Sequence, residues 1–127
     1  MMLLSAGRLI GRLRFLPFGL RDRALRLLFP PQHRHDHAFV CTVGRARYAG
    51  NLDNYVDWSI FFYGQYERYL LDFIALVLPQ LGSRPVFWDI GANSGQHALF
   101  AAGLGAKVEA FEPFEPVRVK LLYSLTL

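Results

Sequence analysis

The stretch Val86-Phe-Trp-Asp-Ile-Gly-Ala-Asn-Ser-Gly95, followed by Val108-Glu-Ala-Phe-Glu-Pro113, limits the possible folds more than any other part of the chain. The first piece reads as a buried strand that ends in an acid, Asp89, and passes into a glycine-rich turn. The second reads as another strand ending in an acid, Glu112. The two acids stand 23 residues apart, the length of one strand–helix–strand unit. Ligands of such sheets bind beyond the carboxyl ends of the parallel strands, so the pattern predicts a cradle for a nucleoside-bearing cofactor.

Val86–Ile90 is continuously apolar apart from Asp89, which predicts a parallel strand buried on both faces. Gly91 permits a sharp turn, and Gly95 permits a ligand to approach backbone where a Cβ would intrude. A helix from about Gln96 to Leu104, closed by Gly103 and Gly105, would aim free N–H groups and a positive dipole end at the ligand. Lys107–Phe111 then delivers Glu112, whose carboxylate can accept hydrogen bonds from both vicinal hydroxyls of a ribose. An acid there repels a 2′-phosphate and disfavours NADP. A dinucleotide needs glycine at the second position of Gly-x-Gly-x-x-Gly, where this chain has Asn93. Asp89 would sit badly beside a pyrophosphate but suits a cationic amino-acid end, so the residues favour S-adenosylmethionine (SAM). The competing reading is structural: Asp89 caps the turn and Glu112-Pro113 starts a helix. Two acids at the right spacing around a glycine turn favour the cradle.

Asp89-Ile-Gly-Ala-Asn-Ser-Gly95, Ala110-Phe-Glu-Pro113 and, more weakly, Gly64-Gln-Tyr-Glu67 resemble the FkbM-type family of SAM-dependent methyltransferases. The resemblance covers roughly residues 38–127 and implies an α/β, Rossmann-like class I methyltransferase fold. It implies that Asp89, Gly91, Asn93 and Gly95 form the SAM turn, that Glu112 holds the ribose, and that Tyr66 and Glu67 lie near the methionine end. It further implies O-methylation of a hydroxyl on a small molecule or sugar. The chain departs from the family at Gln96-His97-Ala98, where an aromatic and a small hydroxylated residue are usual, and at Glu115, where a proline is usual. His97 is expected to be a packing or surface residue rather than a catalytic base, and no residue is assigned as that base.

Charge divides the chain. Residues 1–34 carry seven arginines against one acid, Asp22, whereas the remainder carries seven basic and nine acidic groups. The basic character belongs to an N-terminal extension and linker, residues 1–37. Residues 3–29 read as two short helices broken at Pro17 and Gly19, with Leu20, Ala24, Leu27 and Leu28 on one face of the second and Arg23 and Arg26 largely off it. Such a helix packs on its own domain or a partner, or lies on an anionic membrane. No apolar run approaches the roughly 18–20 residues of a membrane span. A single cysteine, Cys41, makes an internal disulfide impossible and leaves the cytoplasm as the expected compartment, with a peripheral membrane contact through residues 3–29 as an option. The arginine cluster has no accompanying nucleic-acid motif, which disfavours that class of partner.

Between these regions, His33-Arg-His-Asp-His37 follows Pro30-Pro31 and reads as a solvated linker in preference to a metal site, because Arg34 would repel a cation. Phe39–Val43, the turn Gly44-Arg45 and Ala46–Ala49 predict a β-hairpin. Periodicity leaves Val56–Tyr63 open between a strand and a buried helix. Gln65–Leu78 predicts a helix with Tyr66, Tyr69, Leu70, Phe73, Ile74 and Val77 inward, and Arg68 and Asp72 paired on the other side. At 127 residues the chain is shorter than a whole methyltransferase sheet requires, so a fragment or truncated frame is expected. The alternative to an enzyme is a non-catalytic Rossmann unit that folds only with a partner chain, since its sheet edges would be exposed.

Overall fold

Parallel pairing of Val86–Ile90 (β3) with Lys107–Phe111 (β4) organises the C-terminal part of the computed structural model, which describes residues 2–33 and 36–127. The protein is mixed α/β with small sheets. Its elements are helices Met2–Arg12 (α1) and Phe18–Leu28 (α2), strands Ala38–Val43 (β1) and Ala46–Asn51 (β2), helices Tyr55–Tyr63 (α3) and Arg68–Val77 (α4), β3, helix Gln96–Gly103 (α5), β4, and helix Glu115–Ser124 (α6). A 3-10 turn, Leu78–Leu81, follows α4 and contains Pro79. Two units result: residues 1–39 with 51–66, and residues 40–50 with 67–127. The boundary differs from the division at residue 37 drawn from composition, because α3 belongs with the N-terminal helices.

In the first unit, Leu25, Phe29, Leu52, Trp58, Phe61 and Phe62 form the core. The ambiguous segment at Val56–Tyr63 is helical: the Asn54 side chain caps it by accepting the Asp57 N–H, and Gly64 ends it in the left-handed region. Periodicity could not settle it because every residue from Asp57 to Phe62 is buried. The Trp58 indole donates to the Phe29 carbonyl at 2.9 Å, so its one polar atom is satisfied inside the core. α1 packs on α3 through Gly7 and Gly11. A Cβ on Gly7 would stand 2.6 Å from the Phe29 ring and 2.7 Å from the Phe62 ring, and one on Gly11 would run into the Phe62 carbonyl oxygen. On α2 the inward residue is Leu25, fully buried, while Leu20, Leu27 and Leu28 are exposed. Tyr66 packs edge-on against Tyr55 in this same unit. Of the histidine run, His35 lies outside the described residues, His33 is exposed, and His37 sits edge-on to Phe61. Among the described residues no group of metal-ligating side chains is placed to hold an ion, and no helix is long and apolar enough to cross a membrane.

In the second unit β3, α5 and β4 form a β–α–β unit in which Asp89 pairs with Ala110 and Ile90 with Phe111. Ile74, Leu78 and Ala101, with Phe87, Phe100 and Val108 against them, fill the space between α4, α5 and one sheet face. The expectation that β3 is buried on both faces is corrected. Phe87 and Asp89 point inward, but Val86, Trp88 and Ile90 are exposed on the other side, where no element covers them among the described residues. The inward face of α4 is also corrected. Leu71 and Ile74 are buried, whereas Tyr69 and Phe73 face solvent. The helix begins at Arg68 and is apolar around most of its circumference, so periodicity could not select the buried stripe. The Arg68–Asp72 pair forms as expected, at 3.3 Å.

Candidate functional site

The turn after β3 is folded by its own amides. The N–H groups of Gly91 and Ala92 both donate to the Phe111 carbonyl, at 2.9 and 3.0 Å, which ties the end of β3 to the end of β4. Gly91 has φ +81° with nothing within 4 Å of a notional Cβ, so glycine is required there for backbone conformation alone. Asn93 also has positive φ, 52°, a region that Asn tolerates better than most residues. Its Oδ1 accepts the Ser94 N–H at 2.7 Å and the Ser94 hydroxyl at 3.2 Å, so the acceptor half of its amide serves the turn.

Gly95 departs from expectation. Its φ is +91°, but the space that a side chain would take is filled by Leu121 of α6, which a Cβ would overlap. Gly95 therefore admits a neighbouring leucine where a ligand was expected. Asp89 is the penultimate residue of β3, and Gly91, Asn93 and Gly95 follow it in the segment between β3 and α5.

The two acids differ in environment. Asp89 is 9% exposed, and its Oδ2 is buried with no hydrogen-bond partner among the described residues. Burial pushes its carboxyl above the usual carboxylate range, opposed by the nearby His97 and by a hydrogen bond from the Ala98 backbone. Asp89 thus partly caps the first turn of α5, and still has an oxygen that lacks a donor. Such an atom is costly to bury unless something supplies a hydrogen. Glu112 is half-buried, and each of its oxygens is engaged: Oε2 accepts the Asn93 N–H at 2.9 Å and Oε1 the Phe114 N–H at 2.8 Å. A carboxylate offers about four lone-pair positions, so acceptance from a diol is still open to it.

Glu67 stands before α4 at φ 47°, ψ 54°, a left-handed conformation unusual for a residue with a Cβ. Its carboxylate lies 3.8 Å from His97 Nε2, which is 3.4 Å from the Gln96 amide nitrogen. His97 was expected to pack or face solvent. It is mostly buried, in reach of the Glu67 carboxylate and in the field of Asp89. Sequence reasoning missed Tyr48 and Ser94. The Tyr48 hydroxyl lies 2.5 Å from the buried Ser94 hydroxyl, and the Ala49 N–H donates to the Ser124 hydroxyl of α6 at 2.9 Å. These bonds pin β2 to the turn and to α6. Nothing in a short hairpin signals a partner 46 residues away.

Comparison with family models, curated proteins and solved structures gives no match for this chain. The functional reading rests on the site's own chemistry. A buried acceptor at Asp89, a half-buried side-chain amide at Asn93 and a half-buried carboxylate at Glu112 suit a ligand with a cationic nitrogen at one end and a diol at the other. Gly95 stands outside that set, because Leu121 fills the space beside it.

Proposed function

We propose that this chain is the N-terminal part of a Rossmann-like, FkbM-type domain that binds SAM, and that its enzyme methylates a hydroxyl oxygen of a small molecule or sugar. The observation that carries the reading is the Oδ2 of buried Asp89, unpartnered among the described residues, near the end of a parallel strand whose neighbour is followed directly by Glu112. When bound, SAM supplies a methyl group on a positively charged sulfur. Asp89 would receive the ammonium of its amino-acid end, which restores the missing donor. Glu112 would accept the ribose hydroxyls, and its bonds to Asn93 and Phe114 hold the carboxylate in place for that purpose. Glu67 would add negative potential on the ammonium side. The domain's task is positioning, so that methyl and acceptor oxygen meet in line.

A thermal-shift comparison tests the cofactor class. SAM and S-adenosylhomocysteine at a hundredfold excess over Kd should stabilise the chain by about 2.7 kcal/mol. NAD should do much less. Preferential stabilisation by NAD would contradict the reading.

A second reading is favoured by one observation: Val86, Trp88, Ile90 and Phe111 leave a face of the β3–β4 sheet bare. On that reading the chain is a non-catalytic Rossmann unit that folds against another chain. Size-exclusion chromatography with circular dichroism separates the two, because a stable monomer that binds SAM is incompatible with it.

A further inference from the structure

We propose that the turn at residues 13–17 and helix α2 form a surface that docks on lipid bilayers carrying anionic headgroups. The inference is independent of the SAM reading and rests on the first unit alone. An amphipathic helix in a folded domain ordinarily turns its leucine stripe to the core. Here the core side of α2 is served by Leu25, and the stripe of Leu20 and Leu27 is left in solvent at 61% and 80% exposure. Phe15, in the turn that leads into α2, is 79% exposed. α1 cannot cover them, since its inner face is committed to α3 through Gly7 and Gly11.

The charges around these side chains are unbalanced. Asp22 is the one acid among residues 1–33, and it is bound by Arg26 at 2.8 Å and by the Tyr63 hydroxyl at 2.7 Å. Arg21 donates to the Gly11 carbonyl at 2.6 Å, and Arg8 lies over the Phe61 ring at 4.8 Å. Arg14 and Arg23 are exposed and form no ion pair among the described residues. Arg14 adjoins Phe15. Arg23 stands at i+3 from Leu20 and i−4 from Leu27, on the border of the leucine stripe.

The occupant must satisfy both sets of groups. A nucleic acid would take the guanidinium groups and leave the leucines wet. An apolar protein groove would take the leucines and gain nothing from unpaired arginines. A bilayer surface with anionic headgroups offers apolar depth beneath a layer of negative charge, and arginines beside an apolar stripe can reach that layer while the leucines insert.

Sedimentation of the full chain with vesicles tests the proposal. With 4:1 phosphatidylcholine:phosphatidylserine vesicles, partitioning should exceed that with pure phosphatidylcholine by roughly tenfold or more and fall as salt is raised. The Arg14→Glu/Arg23→Glu double variant should lose that excess. The Phe15→Ser/Leu27→Ser variant should lose about tenfold of the binding to anionic vesicles. All four side chains are exposed, and circular dichroism of each variant checks that the fold is kept. No sedimentation with either vesicle overturns the proposal, as does equal binding to both vesicles, or equal binding of wild type and both folded variants. Vesicle indifference combined with retention of a soluble protein partner would also overturn it.

Discussion

Glu112 Oε2 accepts the backbone N–H of Asn93 at 2.9 Å, so the acid proposed to hold a ligand's diol also braces the turn that would cradle it. The structural role and the proposed binding role therefore fall to one side chain. Glu112→Ala should lose both amide bonds and cost about 2 kcal/mol, with Glu112→Gln, which keeps one acceptor oxygen, costing about half. SAM affinity, measured well below the melting point, should fall by about tenfold or more in both. A graded loss of stability with unchanged affinity would mean that Glu112 only braces the turn.

Asp89 should set stability against binding. Its carboxyl is raised in the folded state, so protons are bound more tightly there than in the unfolded chain. Stability attached to this group is then fully present below the unfolded value of 3.8 and is lost as pH rises through the higher folded value. Asp89→Asn removes the buried charge. At pH 7 it should raise stability by about 1 kcal/mol, a few degrees in Tm, and flatten the acid side of the stability profile. The same variant should lose SAM binding. Chemical denaturation between pH 3 and 8 measures the first effect.

The two turn glycines should respond unequally. Gly91→Ala meets only the conformational penalty of positive φ, roughly 1–2 kcal/mol. Gly95→Ala adds overlap with Leu121, for a total of roughly 2–5 kcal/mol. Shortening the obstructing side chain, as in Gly95→Ala/Leu121→Ala, should recover part of the difference. Equal losses at the two glycines would show that Leu121 can move aside freely.

A parallel contrast applies to α1. Gly11→Ala faces the carbonyl oxygen of Phe62, which is fixed in α3, while Gly7→Ala faces aromatic rings that can tilt. Gly11→Ala should cost about 2–3 kcal/mol and Gly7→Ala about 1–2 kcal/mol. Limited proteolysis should cut α1 earlier in the first variant.

Local chemistry made some elements legible in the sequence. β3, α5 and β4 were readable because an apolar run, two glycines and an acid recur at fixed offsets, and each signal lies within a few residues of what it controls. The hairpin was readable from Gly44-Arg45 between apolar strands. What failed depends on neighbours distant in the chain. The leucine stripe on α2 looked like a core face, but Leu25 and Phe29 took that place because they meet Trp58 and Phe62. β3 looked two-sided because its residues are apolar, yet apolarity does not state whether a second layer covers them. Gly95 looked like a ligand-approach glycine, and only the position of Leu121 shows what its missing Cβ admits. Asp89 and Glu112 were legible as acids near the ends of two adjacent strands, whereas the Tyr48–Ser94 tether left no trace in composition or periodicity.

Isothermal titration of SAM into the wild-type chain and into its folded Asp89→Asn and Glu112→Ala variants tests the central claim most directly. Saturable binding near one equivalent by the wild type, weakened by about tenfold or more in each variant, is the predicted result. Absence of binding by the folded wild type, or the same affinity in all three proteins, would contradict it.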